Sequence, residues 1–203
     1  MIIKICGLKT QNDIAYVNEL KPDYIGFVFA KGRKRTIDME TAGLLKERLD
    51  KDIKAVGVFV DDPLNEVLSL LDDNIIDAAQ LHGDEDEAYI KALKEKTDKP
   101  VIKAFVVKED TDIDLINNSP ADMILLDSGQ GSGKKLNEEL IRSVKRDYIL
   151  AGGLSPDNVG GVLLNRSVHL IGLDVSSGVE TDGAKDREKI ELFIKRVRNE
   201  EKR

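Results

Sequence analysis

The sequence predicts an α/β protein folded as a single eight-stranded (β/α)8 TIM barrel spanning residues 1–203, and three observations carry the prediction. Short segments rich in Ile, Val and Leu alternate with longer charged segments from one end of the chain to the other; eight of each are present; and the connectors are short. Strict alternation demands a parallel sheet with helical crossovers, and eight repeats close such a sheet without leaving an edge. An open doubly wound sheet is the alternative.

Taken in order, the first strand covers residues 2–6, an aliphatic run that stops at Cys6-Gly7. The second covers 24–29 and the third 55–60, after which Asp61-Asp62-Pro63 reads as a helix start. The fourth, 76–81, leads into His82-Gly83, and residues 84–96 then place apolar side chains at three- and four-residue spacing beside charges, the signature of an amphipathic helix. Strands five and six cover 101–106 and 123–127. The seventh, 148–151, runs into Gly152-Gly153, and Ser155-Pro156-Asp157 opens the next helix with a capping serine and a proline suited to the first helical position. The eighth covers 169–174, and residues 186–198 form the last amphipathic helix. Each strand segment is short, β-branched or aliphatic, and bounded by polar or glycine-containing turns.

With 41% hydrophobic residues the chain builds a sizeable core, while its 34% charged residues are spread in both signs. A net charge of -7 argues against a nucleic-acid surface, which needs concentrated Lys and Arg. One cysteine forms no intrachain disulfide, the opening MIIKICG does not read as a signal peptide, and no apolar run is long enough for a membrane span. A cytoplasmic protein with a small-molecule partner, monomeric or homodimeric, is expected.

In such barrels catalytic groups sit where the strands end and the following loops begin. The polar and glycine-rich clusters fall there: Cys6-Gly7, Gln80-Leu81-His82-Gly83, Asp127-Ser128, Gly152-Gly153 and Asp174-Val175-Ser176-Ser177-Gly178. The turns after strands seven and eight, with Gly152, Gly153, Ser176, Ser177 and Gly178, lack bulky side chains, so a phosphate could approach their backbone amides; tight turns alone would look the same. Gly129-Gln130-Gly131-Ser132-Gly133 misses the third glycine of the dinucleotide fingerprint and follows the wrong strand, so a mobile loop over the site is expected there instead.

Lys4-Ile5-Cys6-Gly7-Leu8, Gly26-Phe27-Val28-Phe29, Gln80-Leu81-His82-Gly83, Leu150-Ala151-Gly152-Gly153-Leu154 and Asp174-Val175-Ser176-Ser177-Gly178-Val179-Glu180 occur in this order. Together they resemble the phosphoribosylanthranilate isomerases over almost the whole chain. The resemblance implies the same barrel and an Amadori rearrangement in tryptophan biosynthesis, converting N-(5-phosphoribosyl)anthranilate into 1-(2-carboxyphenylamino)-1-deoxyribulose 5-phosphate without metal or cofactor. It implies Cys6 as the general base and Asp127 as the general acid, Arg35 as the group that grips the anthranilate carboxylate, and His82 and Asp174 as pocket-lining residues. Arg33 stands where the family usually has serine, and Leu136-Asn137-Glu138 where Phe-Asp-Trp is usual.

The chemistry makes opposite demands on the two groups. A thiol near roughly 8.5 should be lowered toward thiolate, and a carboxyl near roughly 3.9 should be raised to hold its proton. A basic neighbour for Cys6 and partial burial of Asp127 are therefore expected. Lys4, two residues before Cys6 on the same strand face, could supply that charge or could form an interior ion pair. Two other readings compete: the analogous histidine-pathway aminoaldose isomerase, whose first strand would end in aspartate, and a noncatalytic phosphosugar-binding barrel.

Overall fold

A strand covered on both faces must present apolar or internally paired side chains to both, which is why the strand segments here read as near-continuous aliphatic runs. In the computed structural model, which describes residues 1–106, 110–128 and 141–200, these runs form β1 (Ile2–Cys6), β2 (Tyr24–Val28), β3 (Lys54–Phe59), β4 (Ala78–Leu81), β5 (Val101–Val106), β6 (Met123–Asp127), β7 (Tyr148–Ala151) and β8 (Leu170–Val175). All eight pair in parallel and in sequence order, and β8 returns to β1 to close the barrel. The open-sheet alternative is thereby excluded.

The helices are α1 (Gln11–Leu20), α2 (Met39–Lys46), α3 (Leu64–Asp72), α4 (Glu87–Lys94), α5 (Asp110–Asn118), α6 (Pro156–Leu164) and α7 (Arg187–Glu200). Eight were expected. The segment between β6 and β7, with Gly129 to Gly133 and the Leu136-Asn137-Glu138 departure, lies largely outside the described residues. Ser155 is the N-cap of α6 and Pro156 its first residue, as the sequence indicates. The start of α3 differs by one position: Pro63 is itself the N-cap and Asp62 instead accepts the Val60 N–H at 3.0 Å. β4 begins at Ala78 rather than residue 76, and β8 runs on to Val175. A short antiparallel hairpin, β9 (Glu180–Thr181) with β10 (Ala184–Lys185), was not legible in the sequence.

Period-two alternation divides each strand between two cores. Ile3, Ile5 and Phe27 face outward and join Ile14, Val17 and Phe193 of the helices, whereas Val56, Ala78, Ile102, Leu125 and Ile149 fill the barrel. Lys4 and Cys6 share the inward face of β1 with Ile2. Lys4 stands beside Asp174 of β8, Cys6 beside Gly26 of β2, and Asp127 beside Ala151 of β7.

At the N-terminal end of the barrel one device recurs three times. Asp23, Asp77 and Asp122 each precede an even-numbered strand and accept an N–H from the odd strand before it: Ile3 at 2.8 Å, Ala55 at 2.7 Å and Val101 at 2.9 Å. Each satisfies a strand-end amide that has no sheet partner there. Among the described residues, no helix is long and apolar enough to cross a membrane.

Candidate active site

β1 delivers Cys6 to the C-terminal rim of the barrel, where the thiol is only 8% exposed. Its surroundings are charged as well as enclosed. Lys4, fully buried one pleat below, donates to Asp174 Oδ1 at 3.1 Å. A methyl group on Gly26 would stand 2.6 Å from Cys6 Sγ and 3.2 Å from Lys4 Nζ, so the missing side chain of β2 is what leaves room for both. The alternatives for Lys4 are therefore not exclusive: it forms an interior ion pair and also lies beside the thiol.

The expected basic neighbour is present and acts in the expected direction, but the net shift of the thiol is the opposite one. Burial pushes the Cys6 thiol above its ordinary value; Lys4 and Lys185 pull it down, Asp174 pushes it further up, and burial prevails. In Lys4 the balance falls the other way. Burial opposes its charge, yet Asp174 and Cys6 together hold the ammonium above its usual value. A buried cation beside an ionisable thiol is thus kept charged.

β6 ends in Asp127, whose side chain is 24% exposed, in keeping with the partial burial expected of it. Its Oδ2 lies 3.2 Å from His82 Nε2, and Gln80 Nε2 lies 2.8 Å from His82 Nδ1. If the amide donates to Nδ1, the ring proton sits on Nε2 and points at Asp127. The loop bearing His82 is fixed from beneath by a buried pair: Lys103 donates to Glu85 at 2.8 Å and to the Gly83 carbonyl at 2.6 Å, while Glu85 accepts the Gly83 and Asp61 N–H groups.

The two small-residue turns meet. Gly152 and Gly153 take positive φ of 91° and 60°, which favours glycine, and a methyl group on Gly152 would lie 2.5 Å from Asp127 Oδ1. Gly178 is packed so closely that a methyl group would lie 1.8 Å from the Leu154 carbonyl oxygen. Asn158 shapes the first turn by donating to the Gly153 carbonyl and accepting from Ser155 N–H. Ser177 opens a single 3-10 turn in the second. Ser176 donates its hydroxyl to the Cys6 carbonyl at 3.0 Å, so this side chain ties the eighth-strand turn to the first strand.

Arg35 lies across the end of β1: a methyl group on Gly7 would meet its Cδ at 2.3 Å. Its guanidinium is held in bidentate fashion by Glu180, Nε to Oε1 at 2.7 Å and Nη2 to Oε2 at 2.8 Å. Arg33 and Lys34 beside it are exposed. Glu180 also accepts from Lys185 at 2.7 Å, and Lys185 donates to the Ser176 carbonyl at 3.0 Å. Gln80, Glu180 and Lys185 are site residues beyond those expected from the sequence, although the first two lie inside the Gln80–Gly83 and Asp174–Glu180 motifs. Lys185 carries no local signal, because its burial depends on the β9–β10 hairpin. Among the described residues, no group of His, Cys, Asp or Glu is arranged to hold a metal ion.

Residues 3–196 match the family model described as N-(5'phosphoribosyl)anthranilate (PRA) isomerase. The chain is 44% identical over 202 residues to the N-(5'-phosphoribosyl)anthranilate isomerase of Endomicrobium trichonymphae, covering 97% of this chain and 98% of that one. Among solved structures it is similar to phosphoribosyl anthranilate isomerase from Thermus thermophilus, with a TM-score of 0.86 and 34% identity over 98% of this chain and 99% of that one. It is also similar to a phosphoribosyl anthranilate isomerase in complex with reduced 1-(o-carboxyphenylamino)-1-deoxyribulose 5-phosphate, with a TM-score of 0.85 and 33% identity over 98% and 100% of the two chains.

Proposed function

The chain belongs to the N-(5'-phosphoribosyl)anthranilate isomerase family, and from that premise we propose that Cys6 and Asp127 are the base and acid of its reaction. The protein is an isomerase of tryptophan biosynthesis that converts an aminoaldose phosphate into the corresponding aminoketose phosphate.

In the proposed sequence Asp127 gives a proton to the furanose ring oxygen as the ring opens to a Schiff base. Cys6 then takes the proton from the sugar C2, and the resulting enolamine becomes the ketose. The observation that carries this assignment is the placement of one thiol and one carboxyl, three strands apart around the rim, on either side of the joined glycine turns. The substrate phosphate is assigned to those turns, at Gly152, Gly153, Ser176, Ser177 and Gly178, where the lack of bulky side chains lets backbone N–H groups donate to an anion at close range. Arg35 takes the anthranilate carboxylate, for which a planar fork is suited. His82 orients Asp127, and Asp174 acts chiefly by anchoring Lys4 beneath the thiol.

Each catalytic proton transfer asks for a group within hydrogen-bond reach and is worth roughly a hundredfold or more. Burial works against ionisation of Cys6, and Lys4 and Lys185 are the counter-charges that favour its thiolate. An assay of the purified chain with N-(5-phosphoribosyl)anthranilate, followed by loss of anthranilate-type fluorescence, is expected to show turnover. Activity confined to the phosphoribosylated imidazole carboxamide of the histidine pathway would overturn the substrate assignment.

A further inference from the structure

A substrate that carries a phosphate at one end and a carboxylate at the other needs two anion sites, and the second is built around Arg35. Four linked contacts surround it. Glu180 occupies the Nε and Nη2 side of the guanidinium, Lys185 holds Glu180 Oε1, the same ammonium is anchored on the Ser176 carbonyl, and Ser176 is bonded to the Cys6 carbonyl. Glu180 and Lys185 are directly opposed across the two-stranded hairpin, so the backbone itself fixes their spacing.

We infer that Glu180 is a positioning residue that makes Arg35 selective for a carboxylate-bearing ring, holding the guanidinium over Gly7 with one donor edge bound and another presented to the substrate. The inference rests on Arg35 being the carboxylate grip.

Three physical points support it. An arginine has five N–H donors in a rigid fork, and Glu180 engages two of them, which leaves donors on Nη1 and Nη2. Two cations share one carboxylate, so Glu180 does not cancel the charge of Arg35, whose free edge still attracts the substrate carboxylate. A free arginine side chain also loses rotamer freedom when it binds, whereas one already fixed by a nearly buried carboxylate has lost it beforehand. Glu180 cannot follow a ligand outward, because Lys185, itself buried, keeps it in place.

The test compares N-(5-phosphoribosyl)anthranilate with N-(5-phosphoribosyl)aniline, which lacks only the carboxylate, on the wild type, Arg35→Lys and Glu180→Gln. In Glu180→Gln, kcat/KM for the anthranilate compound should fall at least about tenfold further than kcat/KM for the aniline compound, with the difference lying in KM, because any effect passed through Lys185 to Cys6 is common to both substrates. Steady turnover of the aniline compound also certifies a folded enzyme. Should the loss of charge at position 180 leave Lys185 too costly to bury, Glu180→Asp is expected to give the same split at smaller size. Equal losses on both substrates would mean that Glu180 acts only through folding or through Lys185 on Cys6, and would overturn the inference. If Arg35→Lys separates the two substrates and neither Glu180 variant does, this inference alone fails; if Arg35→Lys does not separate them either, the assignment of Arg35 falls with it.

Discussion

A thiol used as a base must lose its proton where it is most sheltered from water, and Cys6 embodies that conflict. Burial raises it, Lys4 and Lys185 lower it, and Asp174 raises it again. Because Lys4 is a stronger influence on Cys6 than Asp174 is, removing the pair together should move the thiol upward. The double variant Lys4→Met/Asp174→Asn avoids leaving one charge buried alone, which would cost about 3–5 kcal/mol. Ionisation of a base switches activity on as pH rises, so the rising limb of kcat/KM, and of Cys6 alkylation, should shift to higher pH in this variant. An unshifted limb would mean that Lys4 serves packing only. The sequence made the charge at Lys4 visible, through its two-residue spacing from Cys6. It did not reveal the net direction of the shift, because desolvation is a property of everything packed around the thiol.

At the scale of elements, the site depends on how loops are held. The His82 loop rests on Lys103 and Glu85, both nearly buried, and their contacts satisfy the Gly83 carbonyl and two backbone N–H groups. Replacing Lys103 with Met should destabilise the protein by about 3–5 kcal/mol, because Glu85 would be left charged and enclosed. It should also loosen His82, so that activity falls even well below the melting temperature; thermal unfolding and kcat measured together check this. Strands and most helix starts were legible because their causes are local: aliphatic runs, Ser155 before Pro156, glycine at the strand ends. The β9–β10 hairpin and the Glu180–Lys185 pair were not. Two-residue strands leave no periodicity, and a lysine buried by tertiary folding reads like any surface lysine.

Over the whole molecule, the two ends of the barrel divide the work. The C-terminal rim gathers Cys6, Arg35, His82, Asp127 and the glycine turns, while the N-terminal end carries the recurring aspartates Asp23, Asp77 and Asp122. That recurrence relates alternate strands, a structural repeat that the sequence conceals because only one residue in each unit is alike. Asp77→Ala should cost about 1–3 kcal/mol, since the Ala55 N–H loses its partner, and should leave kcat/KM at 25 °C unchanged. A comparable loss of kcat/KM in the folded variant would contradict this division.

Proton transfer by Cys6 and Asp127 is decided by single-turnover rates of Cys6→Ala and Asp127→Asn, with binding of reduced 1-(o-carboxyphenylamino)-1-deoxyribulose 5-phosphate measured alongside. Each variant should bind the compound within about tenfold of the wild type yet turn over substrate at least roughly a hundredfold more slowly. A Cys6→Ala or Asp127→Asn enzyme that retained wild-type turnover would contradict that assignment.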